Sequence, residues 1–252
     1  MNSILRLDHR DGAYFLTLNR PESGNCLSAA LVESVHDALD RVEGEGARAL
    51  VIQGEGRNFC TGFDLGDISE TTDSALLLRF IRIEQLLARI WSAEFATIAV
   101  ARGRSFGAGA DLFASCSTRI AIDGSTFCFP GSAFGLVLGT RRLAERVGTT
   151  NAQRYVTSGG LISAEEAAAV GLASHIASEI DADIIIASAV ADGRRLDSET
   201  FVSIRRALGA AEGLDQDLAA LVRSAARPGL QQRIIAYRSR TSKGHQGKVA
   251  AE

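Results

Sequence analysis

Short β-branched runs alternate with amphipathic stretches through the first two thirds of this chain and then stop. That change of pattern constrains the fold more than any other feature. Residues 4–7, 14–18, 49–53, 98–101, 119–122 and 172–176 read as strands, being short, apolar and bounded by Gly, Asp or Asn. Residues 28–42 place Leu31, Val35, Leu39 and Val42 on one stripe behind a Ser28 cap, and 74–91 reads as a second helix. Beyond Gly171 and the last short strand, residues 180–191, 198–208, 214–225 and 229–240 all read as helices. The pattern predicts an α/β body over 1–192, a helical C-terminal region over 193–240 and a flexible polar tail over 241–252.

Composition narrows the function classes. The 252 residues, 46% hydrophobic and 23% charged, can bury a core without disulfide or metal staples. The longest apolar stretches, at 97–101 and 184–191, are far too short to span a bilayer, and residues 1–11 carry no apolar signal region. A cytoplasmic protein with reduced thiols and no membrane partner is the expectation. Cys26, Cys60, Cys116 and Cys128 are far apart, with no histidine at ligand spacing, so no metal site is expected. Lysine occurs only at 243 and 248, which removes Schiff-base and P-loop lysine chemistry from the body. The acidic balance, net −3, argues against a nucleic-acid groove.

Three glycine patterns compete. Gly44-Glu-Gly46-Ala-Arg-Ala49 loosely matches a dinucleotide fingerprint, but it follows a helix and precedes a strand, the reverse of what pyrophosphate binding needs. Gly103-Arg-Ser105-Phe-Gly107 matches a nucleophile elbow, and Asp123 with His175 would complete a serine hydrolase in the right chain order. No His-Gly-Gly motif precedes it. The third pattern is a pair of turns, Asn58-Phe-Cys-Thr-Gly62-Phe63-Asp64-Leu65 and Ser105-Phe-Gly107-Ala108-Gly109-Ala110-Asp111-Leu112, each following a strand. Their small residues leave backbone N–H groups uncovered, the second set at a helix N-terminus. Two such donors converging would form an oxyanion hole.

At these residues the chain resembles the crotonase (enoyl-CoA hydratase/isomerase) superfamily, over roughly 13–176. Leu18-Asn-Arg-Pro-Glu-Ser-Gly-Asn25-Cys26-Leu27-Ser resembles the family's LNRP…NAL signature, 59–65 its F-x-x-G-x-D-[LI] turn and 107–112 its GGG-x-E-L turn. Phe127-Cys-Phe-Pro130, then Gly139-Thr140-Arg-Arg142-Leu143 with Gly148, then 157–172, follow in the family's order. The resemblance implies a spiral of β-β-α units, a homotrimer or dimer of trimers assembled through 193–240, and an acyl-CoA substrate that carries its own coenzyme A, with no separate cofactor. It implies an oxyanion hole from the amides of Phe63 and Ala108, and substrate contacts among Asn25, Cys26, Leu27, Cys60, Gly62, Asp64, Gly107, Pro130, Gly131 and Ser132.

The family's hydratases use two glutamates as acid and base. Asp111 occupies the first position, one methylene shorter, and Gly131 the second. The loop from Gly135 to Thr140 is also shorter than the family's. Efficient hydration of the crotonyl type is therefore not expected, and the reaction stays open among hydration, isomerisation, decarboxylation and hydrolysis, as does a coenzyme A-binding homologue without catalysis. Asp111 also fits a first-turn acid that offsets the helix dipole. Ser132 also fits a cap, Glu166 a capping box with Ser163, and Asp64 a turn. Cys60 and Cys128 fit small buried apolar residues. Glu84, on the 74–91 helix, is a candidate for reaching the site.

Overall fold

The computed structural model describes residues 3–249, and their side chains to residue 240. β1 (Leu5–Arg10) and β2 (Ala13–Leu18) form a hairpin, followed by α1 (Ala29–Gly44), β3 (Ala49–Gly54) and α2 (Asp73–Ser92). Two strand–strand–helix units come next. The first is β4 (Ala96–Ala101), β5 (Arg104–Phe106) and α3 (Ala108–Ser115); the second is β6 (Thr118–Ile122), β7 (Thr126–Cys128) and α4 (Thr140–Ser158). β8 (Ile162–Ser163), α5 (Ala164–Ala169) and β9 (His175–Ala177) close the body. Then come α6 (Glu179–Arg195), α7 (Ser198–Ala207), α8 (Leu214–Ala225) and α9 (Leu230–Val249).

The main sheet runs β1-β2-β3-β4-β6-β9, parallel from β2 onward, and the second strand of each unit peels off into a small sheet β5-β7-β8. The chain thus winds between two sheets, which is the spiral. Every residue of β2 and β4 is buried, as expected for strands covered on both faces. The period-two rule divides their side chains. Leu16, Leu18, Leu50 and Ile52 meet α1, α2 and α3 on one face; Phe15, Val51, Ile98 and Ile120 meet Ile186 and Val190 of α6 on the other. Arg119 ties β6 to the segment before β9 by donating to the carbonyls of Leu172 and Cys116.

Capping follows the sequence signals. Ser28 Oγ accepts from the Leu31 amide, Thr72 Oγ1 from Ala75 and Ser163 Oγ from Glu166. Other details differ from the sequence pattern or add to it. The strand placed at 172–176 is shorter and later, at β9, because Leu172 is a fully buried turn residue. β5, β7 and β8, of two or three residues each, carry too little periodicity to be seen. α4 is broken at Gly148, where φ is +75°. The C-terminal helices pack on the body: Leu221 and Ala225 of α8 with Leu230 and Ile234 of α9 meet Ile68, Leu76, Phe80 and Leu136. α9 also takes in 241–249 of the segment expected as a tail; 250–252 lie outside the described residues. Among the described residues no helix is long and apolar enough to cross a membrane.

Candidate active site

The two glycine-bearing turns are zipped together by backbone bonds. The Phe59 amide donates to the Arg102 carbonyl (2.8 Å) and Phe106 to Cys60 (3.0 Å), with a parallel bridge between Cys60 and Ser105. Only glycine allows so close an approach. A Cβ on Gly62, where φ is +93°, would lie 2.5 Å from the Phe106 carbonyl oxygen and 3.4 Å from the Ala108 nitrogen. A Cβ on Gly109 would overlap the Cys60 carbonyl in turn. The Gly62 carbonyl is held by the Leu27 amide (2.7 Å), which fixes the peptide that carries the Phe63 N–H. Ala108 is the first residue of α3, so its amide has no helical partner. Among the described residues neither the Phe63 nor the Ala108 amide donates a hydrogen bond.

Both amides border a cavity of about 300 Å³. Its walls come from Gly62, Phe63, Leu65 and Phe80, from Gly107, Ala108 and Asp111, and from Pro130, Gly131, Ser132, Phe134, Leu136 and Leu138, with Tyr237 of α9 across the mouth. The lining is overwhelmingly apolar, and its one charged group is Asp111. That carboxyl is 5% exposed and has no hydrogen-bond or ion-pair partner among the described residues. Burial holds it well above the usual carboxylate range; Arg142 opposes this and Glu84 reinforces it. Opposite, Gly131 has only Leu136 Cβ near the place where its own Cβ would be, at 3.8 Å. A side chain there would make only ordinary van der Waals contact.

Of the residues expected to touch substrate, Gly62, Gly107, Pro130, Gly131 and Ser132 line this cavity. The others do not, and each has a physical reason. Asn25, fully buried with φ +56°, spends its side chain on the turn: Nδ2 donates to the carbonyls of Glu55 and Asn58, and Oδ1 accepts from the Arg20 amide. Leu27 is buried and pairs with Phe63 through its backbone. Cys60 is fully buried beneath the hole, its thiol pushed up to about 12 by burial, which leaves it unreactive. Cys26 and Asp64 meet at Arg20, which donates to Asp64 Oδ2 (3.0 Å), while Asp64 Oδ1 accepts from the Gly66 amide. Cys128 is buried against the Gly159 carbonyl. Ser132 donates to the Val156 carbonyl at the rim, and Glu166 binds Arg154 and the Tyr155 hydroxyl away from the cavity.

The serine-hydrolase reading fails on access. Ser105 is 0% exposed in β5, its hydroxyl has no partner, and His175 is exposed on β9 beside Ser174. A nucleophile needs a base within reach and an open face. The sequence reading missed a buried ionic cluster behind Asp111, in which Arg142 joins Glu84 (2.6 Å) and Asp217 (2.9 Å). A signal existed: Glu84 interrupts the apolar stripe of Phe80, Ile83 and Leu87 on α2. Tyr237 had no such signal, because its place depends on how α9 folds back. Among the described residues no group of His, Cys, Asp or Glu could hold a metal.

A two-sheet β-β-α spiral whose inter-sheet turns present paired free amides defines the class of the crotonase fold. The enoyl-CoA hydratase/isomerase family model matches residues 8–211, and the chain belongs to that family. It is 34% identical to a protein of Rhodobacter capsulatus named "probable enoyl-CoA hydratase", over 88% of this chain and 87% of that one. The 2,3-dehydroadipyl-CoA hydratase of Escherichia coli is 33% identical over 69% of this chain and 69% of that one. A solved structure from Bordetella parapertussis, described as an enoyl-CoA hydratase/isomerase, superposes with a TM-score of 0.91 at 41% identity, covering 94% of this chain and 98% of that one.

Proposed function

We propose that the protein binds an acyl-CoA thioester with its carbonyl oxygen between the Phe63 and Ala108 amides and catalyses proton transfer at the acyl chain through Asp111. The observation that carries this reading is two unpartnered amides and one unpartnered carboxyl facing a single apolar cavity. The Asp111 carboxylate takes a proton from the carbon next to the carbonyl, and the electron pair moves onto the thioester oxygen. The two N–H groups and the N-terminus of α3 stabilise that enolate. Protonated Asp111 then returns the proton to the same carbon or, in an unsaturated chain, to one further along, which shifts the double bond.

One carboxyl suffices for this cycle. Water addition in the two-glutamate manner needs a second, and Gly131 supplies none. The class of reaction is therefore isomerisation through an enolate, with coenzyme A as part of the substrate and no separate cofactor. Exposed Arg238 and Arg240 on α9, whose guanidiniums reach the carbonyls of Leu65 and Ala133, are placed to meet the coenzyme A phosphates in the absence of body lysines. The assembly expected from the resemblance is a homotrimer or dimer of trimers, to be read by analytical ultracentrifugation.

The test is exchange of the α-protons of a saturated acyl-CoA in deuterated water, followed by mass spectrometry, beside a 3-enoyl to 2-enoyl assay. Exchange that disappears in Asp111→Asn while calorimetric binding persists supports the reading. Binding without exchange across a panel of chain lengths favours the non-catalytic homologue.

A further inference from the structure

The cavity's carboxyl is backed by charge. Gly139, which caps the N-terminus of α4, packs so closely on Asp111 that a Cβ there would overlap the carboxyl. Arg142 stands three residues on and so leaves the same side of that first turn. Its side chain is 1% exposed, and its guanidinium is shared between Glu84 Oε2 of α2 (2.6 Å) and Asp217 Oδ2 of α8 (2.9 Å). Arg141 places a second guanidinium on Asp217 (2.7 Å), with Glu145 outside it at the surface. Glu84 Oε1 and Arg142 Nε are buried without partners.

Of these charges Arg142 and Glu84 act on Asp111 directly, and Asp217 and Arg141 complete their cluster. Glu84 and Asp217 balance Arg142 and Arg141 before Asp111 is counted. An ionised Asp111 is then a buried negative charge with no cation left to pair with. We propose that Glu84 and Arg142 are positioning residues for proton transfer at Asp111, acting by satisfying each other and so leaving the cavity's carboxyl without a counter-charge. The proposal rests on the reading of Asp111 as the proton-transfer group. A group that must take a proton from carbon and give it back gains from a high proton affinity, and the balanced pair supplies it.

The charge coupling can be read on the full-length protein without substrate, by a carbon-13 NMR titration in which the Asp111 signal is assigned by its loss in Asp111→Asn. Glu84→Gln removes a negative charge and frees Arg142 towards Asp111, so the Asp111 midpoint falls by about one pH unit, tenfold in the protonation constant. Arg142→Gln does the opposite and raises it. Opposite shifts are not produced by general loosening of the fold. If either buried variant does not fold, Asp217→Asn, at the cluster's edge, also lowers the midpoint by releasing Arg142. Midpoints that stay put, or that move in one direction in both Glu84→Gln and Arg142→Gln, overturn the proposal.

The pH profile of α-proton exchange is expected to move with the midpoint while KM stays near its wild-type value. Shifted midpoints in a protein that exchanges no thioester support the coupling and sink the acyl-CoA reading. Exchange with unshifted midpoints does the reverse.

Discussion

Replacing Gly62 by alanine tests the oxyanion hole at the point where its geometry is made. The residue has φ +93°, and a Cβ there meets the Phe106 carbonyl oxygen at 2.5 Å and the Ala108 nitrogen at 3.4 Å. The left-handed conformation alone costs an L-residue about 1–2 kcal/mol. Relief of the overlap requires backbone to move, because neither neighbour is a flexible side chain. The movement separates the two turns and tilts the Phe63 amide away from the point it shares with Ala108. Loss of one oxyanion-hole donor typically costs about 10²–10³ in kcat. Gly62→Ala should therefore lose about two to three orders of magnitude in exchange rate, with a melting temperature lowered by several degrees, as ~1–2 kcal/mol implies for a chain of this size. The assay is α-proton exchange under saturating acyl-CoA, with folding checked by circular dichroism. A folded Gly62→Ala protein that exchanges at the wild-type rate would refute the assignment of the hole to these turns.

Asp111→Asn should abolish exchange and leave binding intact. Asp111 has a folded-state pKa above its unfolded value, so its contribution is fully present below the unfolded pKa and is lost as pH rises through the folded one. The variant's chemical-denaturation stability should thus overtake wild type as pH rises, and equal gaps at all pH values would contradict the burial argument. For the same reason the exchange rate of the wild-type protein should climb with pH through the raised Asp111 midpoint. Gly131→Glu adds a second carboxyl to the cavity lining without a close clash and should confer measurable hydration of crotonyl-CoA, followed by loss of the enoyl absorbance; no gain in a folded variant would show that more than this carboxyl is missing. Arg238→Ala should raise KM for acyl-CoA severalfold at constant kcat, and an unchanged KM would place the phosphates elsewhere.

The fold was legible where a residue's surroundings are local. The two faces of β2, β3 and β4 follow from period-two alternation, and α1, α2 and α5 start where Ser28, Thr72 and Ser163 can accept from the first-turn amides. The pairing of the two glycine turns was legible because Gly62, Gly107 and Gly109 stand in short ordered motifs. What stayed hidden depends on distant chain. Asn25 and Leu27 belong to the same signature as the site, yet they act one layer behind it, holding the Gly24–Gly62 turn from beneath through the Asn58 and Gly62 carbonyls. A motif records that a residue is needed near a site and does not say whether it faces the ligand. Tyr237 and Asp217 arrive from α9 and α8, more than a hundred residues from Asp111, and no local pattern marks them.

Helix α3 explains why these features occur together. Its first amide borders the cavity beside Phe63, Gly109 in the same turn allows contact with the Cys60 carbonyl, and Asp111 two residues further along lines the cavity. The helix must lie deep to bring Ala108 beside Phe63, and all eight of its residues are buried. That depth is what strips water from Asp111 and raises its proton affinity. The proposed oxyanion hole and the proposed acid thus depend on one helix: shifting α3 outward would hydrate Asp111 and pull the Ala108 amide from its partner turn together. In the proposed reaction, with Gly131 contributing no second carboxyl, proton transfer falls on that single helix, and the Arg142–Glu84 pair behind it sets the charge that Asp111 meets.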